Sequence, residues 1–134
     1  MHVTPIQVRL GDTDALGHVN NAVYATYAET ARIAFFRDNA GLYDGPGAMG
    51  GFIIARLAID FRSQVRINQR VEVETSLVRL GNTSLTLSQI VRADGVLAAE
   101  IEAVAVCFDY GQQKPVPIPA RLRELGEGLL AAAV

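Results

Sequence analysis

A chain of 134 residues, half of them hydrophobic and 19% charged, has enough apolar material for one globular core without a disulfide or structural metal. Its net charge of −2, from 12 basic and 14 acidic side chains, argues against a nucleic-acid binder, which would carry a strong basic excess. Cys107 is the one cysteine, so no intramolecular disulfide can form, and it lies far in sequence from both histidines, which argues against a transition-metal site.

Residues 2–10 alternate well enough for a first strand, with Val3, Ile6, Val8 and Leu10 as its apolar members. Gly11 to His18 is a loop by composition. Asn20 or Asn21 can cap a helix whose apolar positions, Val23, Tyr27, Ala31, Ala34 and Phe35, follow helical spacing. Asn39 and Gly41 end it. Tyr43 to Gly51, rich in glycine, reads as a flexible connection.

From there the period changes to two. Ile53, Ala55, Leu57, Ile59 and Phe61 are expected on one face of a strand, with Arg56, Asp60 and Arg62 on the other. Val71, Val73, Thr75 and Leu77 repeat the pattern against Arg70, Glu72 and Glu74. Turns at Gly81-Asn82 and Asp94-Gly95, the latter a type I′ signal, separate residues 83–93 from 96–109. In the last strand Leu97, Ala99, Ile101, Ala103, Ala105 and Cys107 form a face of mostly small residues that a helix could approach closely. The opposite face begins with Glu100 and Glu102 but ends with Val104, Val106 and Phe108, so it calls for a second covering layer, expected from another subunit in a homodimer or homotetramer. Pro115 to Leu130 reads as a proline-punctuated turn and a short helix.

No repeat or linker divides the chain, so residues 1–134 are read as one α+β domain: a long central helix wrapped by a five-stranded antiparallel sheet. Met1 to Pro5 has none of the basic and apolar regions of a signal peptide, and no apolar run approaches the roughly 20 residues of a membrane span. The expected compartment is the cytoplasm.

The chemistry concentrates in Asp12-Thr13-Asp14-Ala15-Leu16-Gly17-His18-Val19-Asn20-Asn21. This stretch places carboxylates, an imidazole and two amides just before a helix N-terminus, where unpaired N–H groups and a partial positive charge can hold a developing oxyanion. A nearby carboxylate can attack or activate water, so the arrangement suits acyl transfer; the plainer alternative is that these residues cap the helix.

The run Asp14 to Tyr24, followed by Glu29 and Arg32, resembles the signature of the 4-hydroxybenzoyl-CoA thioesterase-like hotdog family, and it sits after one strand, at the start of the single long helix. The resemblance implies a hotdog fold and hydrolysis of an acyl-CoA or acyl-carrier-protein thioester without a cofactor. It implies that Asp14, the second acid of Asp-x-Asp, is the catalytic carboxylate, acting as nucleophile or as general base. It also implies that a backbone N–H near Asn21 polarises the thioester carbonyl. Related plant acyl-carrier-protein thioesterases use an Asp, an Asn and a His in this segment; Asp14 and His18 match, but the Asn position is Leu16, so His18 is read either as a loop-shaping residue or as a sharer in proton transfer.

Asp12 is expected to order the loop, Glu29 to sit solvated on the helix, Tyr24 and Tyr27 to pack or line a pocket, and Cys107 to lie in the core. Arg62, Arg66 and Arg70 could meet coenzyme A phosphates or form a solvated face. Gly81-Asn82-Thr83-Ser84 departs from the basic run that the family's founding enzyme carries near this turn, so that contact does not transfer. A hydratase acting on similar thioesters, or a non-catalytic acyl-thioester-binding module, is a competing reading; the presence of Asp14 disfavours the module.

Overall fold

The computed structural model describes residues 1–41 and 51–132. In chain order these form strand β1 (His2–Ile6), a single 3₁₀ turn (Leu10–Asp12), helix α1 (Val23–Ala40), strands β2 (Phe52–Phe61), β3 (Val71–Leu80), β4 (Ser84–Ala93) and β5 (Val96–Asp109), a short strand β6 (Lys114–Pro115) and helix α2 (Ala120–Ala132). The connection expected over Tyr43–Gly51 lies, apart from Gly51, outside the described residues.

Tight hairpins join β3 to β4 and β4 to β5. At the second, Asp94 and Gly95 have φ of 51° and 80°, the two positive values that a type I′ turn needs. The excursion through α1 separates β1 from β2 and sends them to opposite edges, giving an antiparallel sheet in the order β1-β3-β4-β5-β2; β6 pairs with the end of β5.

Helix α1 has 18 residues, a length of about 27 Å at the usual rise. It ends at Gly41, whose left-handed φ of 66° lets its N–H reach the Arg37 and Phe36 carbonyls. Tyr24, Tyr27, Ala28 and Ala31 pack on Val71, Val73, Val91, Ala99 and Ile101 of the sheet. Toward its far end Phe35 and Phe36 join Leu77, Leu85, Leu87 and Ala103. The small residues of β5 thus let the helix approach, as their size requires. A buried polar link crosses this contact: Gln89 Nε2 donates to the Ala28 carbonyl (2.9 Å) and to Thr75 Oγ1 (3.2 Å), while its Oε1 accepts from Arg32 (3.2 Å).

Several expectations from periodicity are corrected. The first strand stops at Ile6 because the chain turns into the 3₁₀ segment; Val3 and Leu10 are exposed, and buried Thr4 opposite Val73 takes the inward position. In β2, Ile54 pairs with Ala105 and Arg56 with Val104, so Ala55 is the extra residue of a bulge. The bulge moves Ile53 to the outer face, opposite Val106, and puts Ile54 with Leu57, Ile59 and Phe61 on the helix side. In β5 a bulge at Ala98 pairs Leu97 with Arg92, which takes Leu97 off the Ala99–Cys107 face. The capping position expected at Asn20 or Asn21 falls on Ala22, with no side-chain cap bond; Asn20 closes the turn before it, its Oδ1 accepting from the Ala22 N–H (2.9 Å) and its carbonyl from the Val23 N–H (2.9 Å).

Helix α2 docks beside α1 on the same face, with Leu122 and Leu129 against the Phe35–Leu77 cluster. Gly126 lets it come close, since a Cβ there would stand 3.1 Å from a Leu80 methyl. The outer face is left with the surface pairs Arg56–Glu102, Arg62–Glu100 and Arg92–Glu74 at one end and half-buried Val104, Val106 and Phe108 at the other.

Candidate active site

Between β1 and α1 the chain must reverse in a few residues, and it does so around Asp12. The Asp12 carboxylate is only 6% exposed. It accepts from the Arg9 N–H (3.0 Å) and from the Tyr27 hydroxyl (2.8 Å), with the Arg9 guanidinium 3.6 Å away. Burial works to raise its pKa, but the Arg9 N–H, the Tyr27 hydroxyl and the Arg9 charge together hold it below the ordinary aspartate value. The same burial, and the adjoining carboxylate, push the Tyr27 phenol far above its usual range. Asp12 therefore orders the loop as anionic aspartate, and Tyr27 stays a neutral donor.

The loop beyond it is pinned by main-chain bonds. Asp14 N–H donates to the His18 carbonyl (2.8 Å), Asn20 N–H to the Asp12 carbonyl (2.8 Å), and Val19 N–H to the Val65 carbonyl (2.7 Å). The last bond, with a bridge between His18 and Arg66, sews the loop to the segment that follows β2. Gly17, at φ 81°, makes the left-handed turn that a side chain would resist.

Asp14 is exposed. Its Oδ1 accepts from the Leu16 N–H (2.9 Å) and the His18 N–H (3.3 Å), which fixes the carboxylate's direction, while Oδ2 has no hydrogen-bond partner among the described residues. At the start of the helix, the N–H groups of Asn20, Ala22 and Val23 are all taken within the turn. The Asn21 N–H has no partner among the described residues. Asp14, His18 and Asn21 line one open cleft of about 360 Å³, whose other walls include Leu16, Tyr24 and Phe61. Tyr24 and Phe61 meet edge to face at 5.1 Å and form its apolar side.

The three residues singled out from sequence are thus brought to one cleft. Glu29 is exposed on the helix, away from that cleft, and Cys107 is buried in the core. Of the three arginines, Arg62 lines the cleft but is paired with Glu100, and Arg70 is paired with Glu72; Arg66, next to His18, has no acidic partner among the described residues. Sequence reasoning missed the contribution of Phe61, Ser63 and Gln64 to the cleft and the bond between Tyr27 and Asp12. No spacing rule links positions 15 residues apart across a loop and a helix; only the fold does. Among the described residues no three His, Cys, Asp or Glu side chains converge as metal ligands, and no helix is long and apolar enough to cross a membrane.

An antiparallel sheet folded round one long helix, with an acidic loop at that helix's N-terminus, is the hotdog architecture of the thioesterases. Residues 8–126 match the family model of the thioesterase-like superfamily. The chain belongs to that superfamily and is a thioesterase, a hydrolase. It is 27% identical over 123 residues to the long-chain acyl-CoA thioesterase FadM of Escherichia coli, covering 90% of this chain and 93% of that one. It is 26% identical over 124 residues to the acyl-CoA thioesterase YbgC of Haemophilus influenzae, covering 89% of each. The structure of a Thermus thermophilus thioesterase in complex with coenzyme A and Zn superposes with a TM-score of 0.84 at 34% identity, over 96% of this chain and 93% of that one.

Proposed function

We infer that this protein hydrolyses an acyl-CoA thioester to a free acid and a thiol, using Asp14 as its catalytic carboxylate and the Asn21 N–H as oxyanion donor. One observation carries the reading: among the described residues, an exposed carboxylate with one uncommitted oxygen shares a cleft with the residue whose N–H alone in the helix-entry turn lacks a partner. Such a preorganised donor stabilises charge that appears only in the transition state.

As nucleophile, Asp14 Oδ2 bonds to the thioester carbon while the carbonyl electrons move to oxygen, where the Asn21 N–H receives them. The C–S bond then breaks, the thiolate leaves, and water cleaves the mixed anhydride to acid and regenerated carboxylate. As general base, the same oxygen takes a proton from water as the water oxygen attacks the carbonyl; the C–S bond then breaks, and the proton passes from Asp14 to the leaving thiolate, which restores the carboxylate. Both routes need the charge on Asp14 and the donor at Asn21. The names of the FadM and YbgC relatives, and the coenzyme A bound by the Thermus neighbour, support a coenzyme A thioester as substrate. Arg66, beside His18 and free of acidic partners among the described residues, is available to meet the phosphates of the carrier.

The active unit is a homo-oligomer in this reading. Strand β2 ends the sheet, and on its helix side Ile54, Leu57 and Phe61 are 42%, 36% and 46% exposed. A hydrophobic edge strand of ten residues is a template for pairing, and a second copy laid along it would cover these side chains and close one side of the cleft. The half-buried Val104, Val106 and Phe108 offer a further contact for a tetramer.

The test is thiol release from a panel of acyl-CoA and acyl-carrier-protein thioesters, read with a thiol-reactive dye. Turnover that fails on every thioester, or that survives in Asp14→Asn, would sink this reading.

A further inference from the structure

The Asp12–Tyr27 pair sits under the catalytic loop and takes no part in the reaction as written. Asp12 is nonetheless the residue to which both reacting groups are tied. Its carboxylate is held from two sides, by the Arg9 N–H at 3.0 Å and by the Tyr27 hydroxyl at 2.8 Å. Tyr27 lies one helical turn inside α1, 4% exposed, so the bond anchors the loop to a buried position of the central helix. From Asp12 two short tethers run outward. One is covalent: Asp14 lies two residues on, past Thr13, whose hydroxyl donates to the Leu10 carbonyl (2.7 Å) and whose backbone bridges Val19. The other is a hydrogen bond: the Asp12 carbonyl accepts the Asn20 N–H at 2.8 Å, and the next residue is Asn21.

We propose that Asp12 and Tyr27 are positioning residues, a buried carboxylate–phenol pair that holds the Asp14 carboxylate and the Asn21 N–H at the separation a thioester carbonyl needs. Without the Tyr27 bond the loop loses its only side-chain hydrogen bond to α1 among the described residues, and the Asn20 bond that precedes the Asn21 N–H relaxes with it. The neighbouring N–H groups of Ala22 and Val23 are already committed to Asn20, so neither of these backbone donors can take over. Misplacing preorganised groups costs rate steeply, and it does so in the chemical step more than in binding. The inference rests on the catalytic roles given above to Asp14 and Asn21, yet the geometry it asserts can be read without turnover.

Tyr27→Phe removes the hydroxyl and leaves the ring packed. With the fold intact by circular dichroism and at a temperature well below its unfolding, kcat should fall about tenfold with KM changed less than about twofold. Asp12→Asn, which keeps an acceptor for both donors, should retain more activity than Asp12→Ala. By NMR, the Asn20 amide in Tyr27→Phe should exchange with solvent faster than in the wild type, and the Asn21 amide resonance should shift. That second readout needs no substrate, so it separates failure of this inference from failure of the assigned chemistry. A folded Tyr27→Phe with normal kcat, a loss confined to KM, or unchanged Asn20 exchange each overturns the proposal.

Discussion

Asp14 and His18 are joined through the backbone: the Asp14 N–H donates to the His18 carbonyl at 2.8 Å, and the His18 N–H donates to Asp14 Oδ1 at 3.3 Å. No bond between the imidazole and the carboxylate is present among the described residues, and the intervening side chain is Leu16, an exposed apolar residue. Neither main-chain bond depends on what residue stands at 18. His18→Ala is therefore expected to lose less than about tenfold in kcat and to keep both limbs of the pH–rate profile. A folded His18→Ala as inactive as the Asp14 variant would show that the ring transfers a proton.

Asp14→Asn keeps shape and most hydrogen bonding but removes the charge that either route requires. The expected loss in kcat is about 10²–10⁴-fold with little change in KM, measured by steady-state thiol release.

The two asparagines should separate cleanly. Asn20 Oδ1 holds the Ala22 N–H, so Asn20→Ala should lower stability by about 0.5–2 kcal/mol in urea unfolding. In the proposed mechanism Asn21 acts through its backbone N–H, so Asn21→Ala should leave the unfolding midpoint near that of the wild type and reduce kcat by less than Asp14→Asn does. A large stability loss in Asn21→Ala would show that its side chain, and not that of Asn20, holds the helix entry.

The Asp12–Tyr27 pair contributes at both ends of the stability–pH curve. The pKa of Asp12 is lowered in the folded state, so its contribution is present above the unfolded value and is lost as pH falls below about 4. Tyr27 is raised, so its contribution is complete below about pH 10 and is lost as pH rises above it. Thermal unfolding across pH should accordingly show a flatter acid limb in Asp12→Asn and a flatter alkaline limb in Tyr27→Phe, relative to wild type.

Oligomerisation through β2 is open to a direct measurement. Light scattering of the wild type at micromolar concentration should give at least twice the 14.4 kDa chain mass, and Leu57→Lys, a charge in the middle of the exposed apolar row, should shift it toward the monomer. A wild-type mass equal to the monomer would overturn the edge-pairing reading.

Much of this molecule was legible from local signals. The long helix follows from the spacing of Tyr27, Ala31 and Phe35, and its end from Gly41. The hairpins follow from turn residues such as Asp94-Gly95, and the acidic loop at the helix start from the order of its side chains. These are properties of consecutive residues, where backbone preference and side-chain period act within a few positions. The resemblance of Asp14 to Tyr24 to a known signature then supplied the chemistry that spacing alone left open. What tertiary structure decided were relations between distant residues. The bulges at Ala55 and Ala98 exchanged which side chains of β2 and β5 face the helix, because one extra residue inverts a period of two whatever the pattern on either side. The closing of the helix-entry turn by Asn20, the Asn21 N–H without a partner among the described residues, and the Tyr27 bond to Asp12 all depend on how the loop is sewn onto Val65 and α1. Those contacts join segments far apart in the chain, so their geometry is settled by packing and not by any local preference.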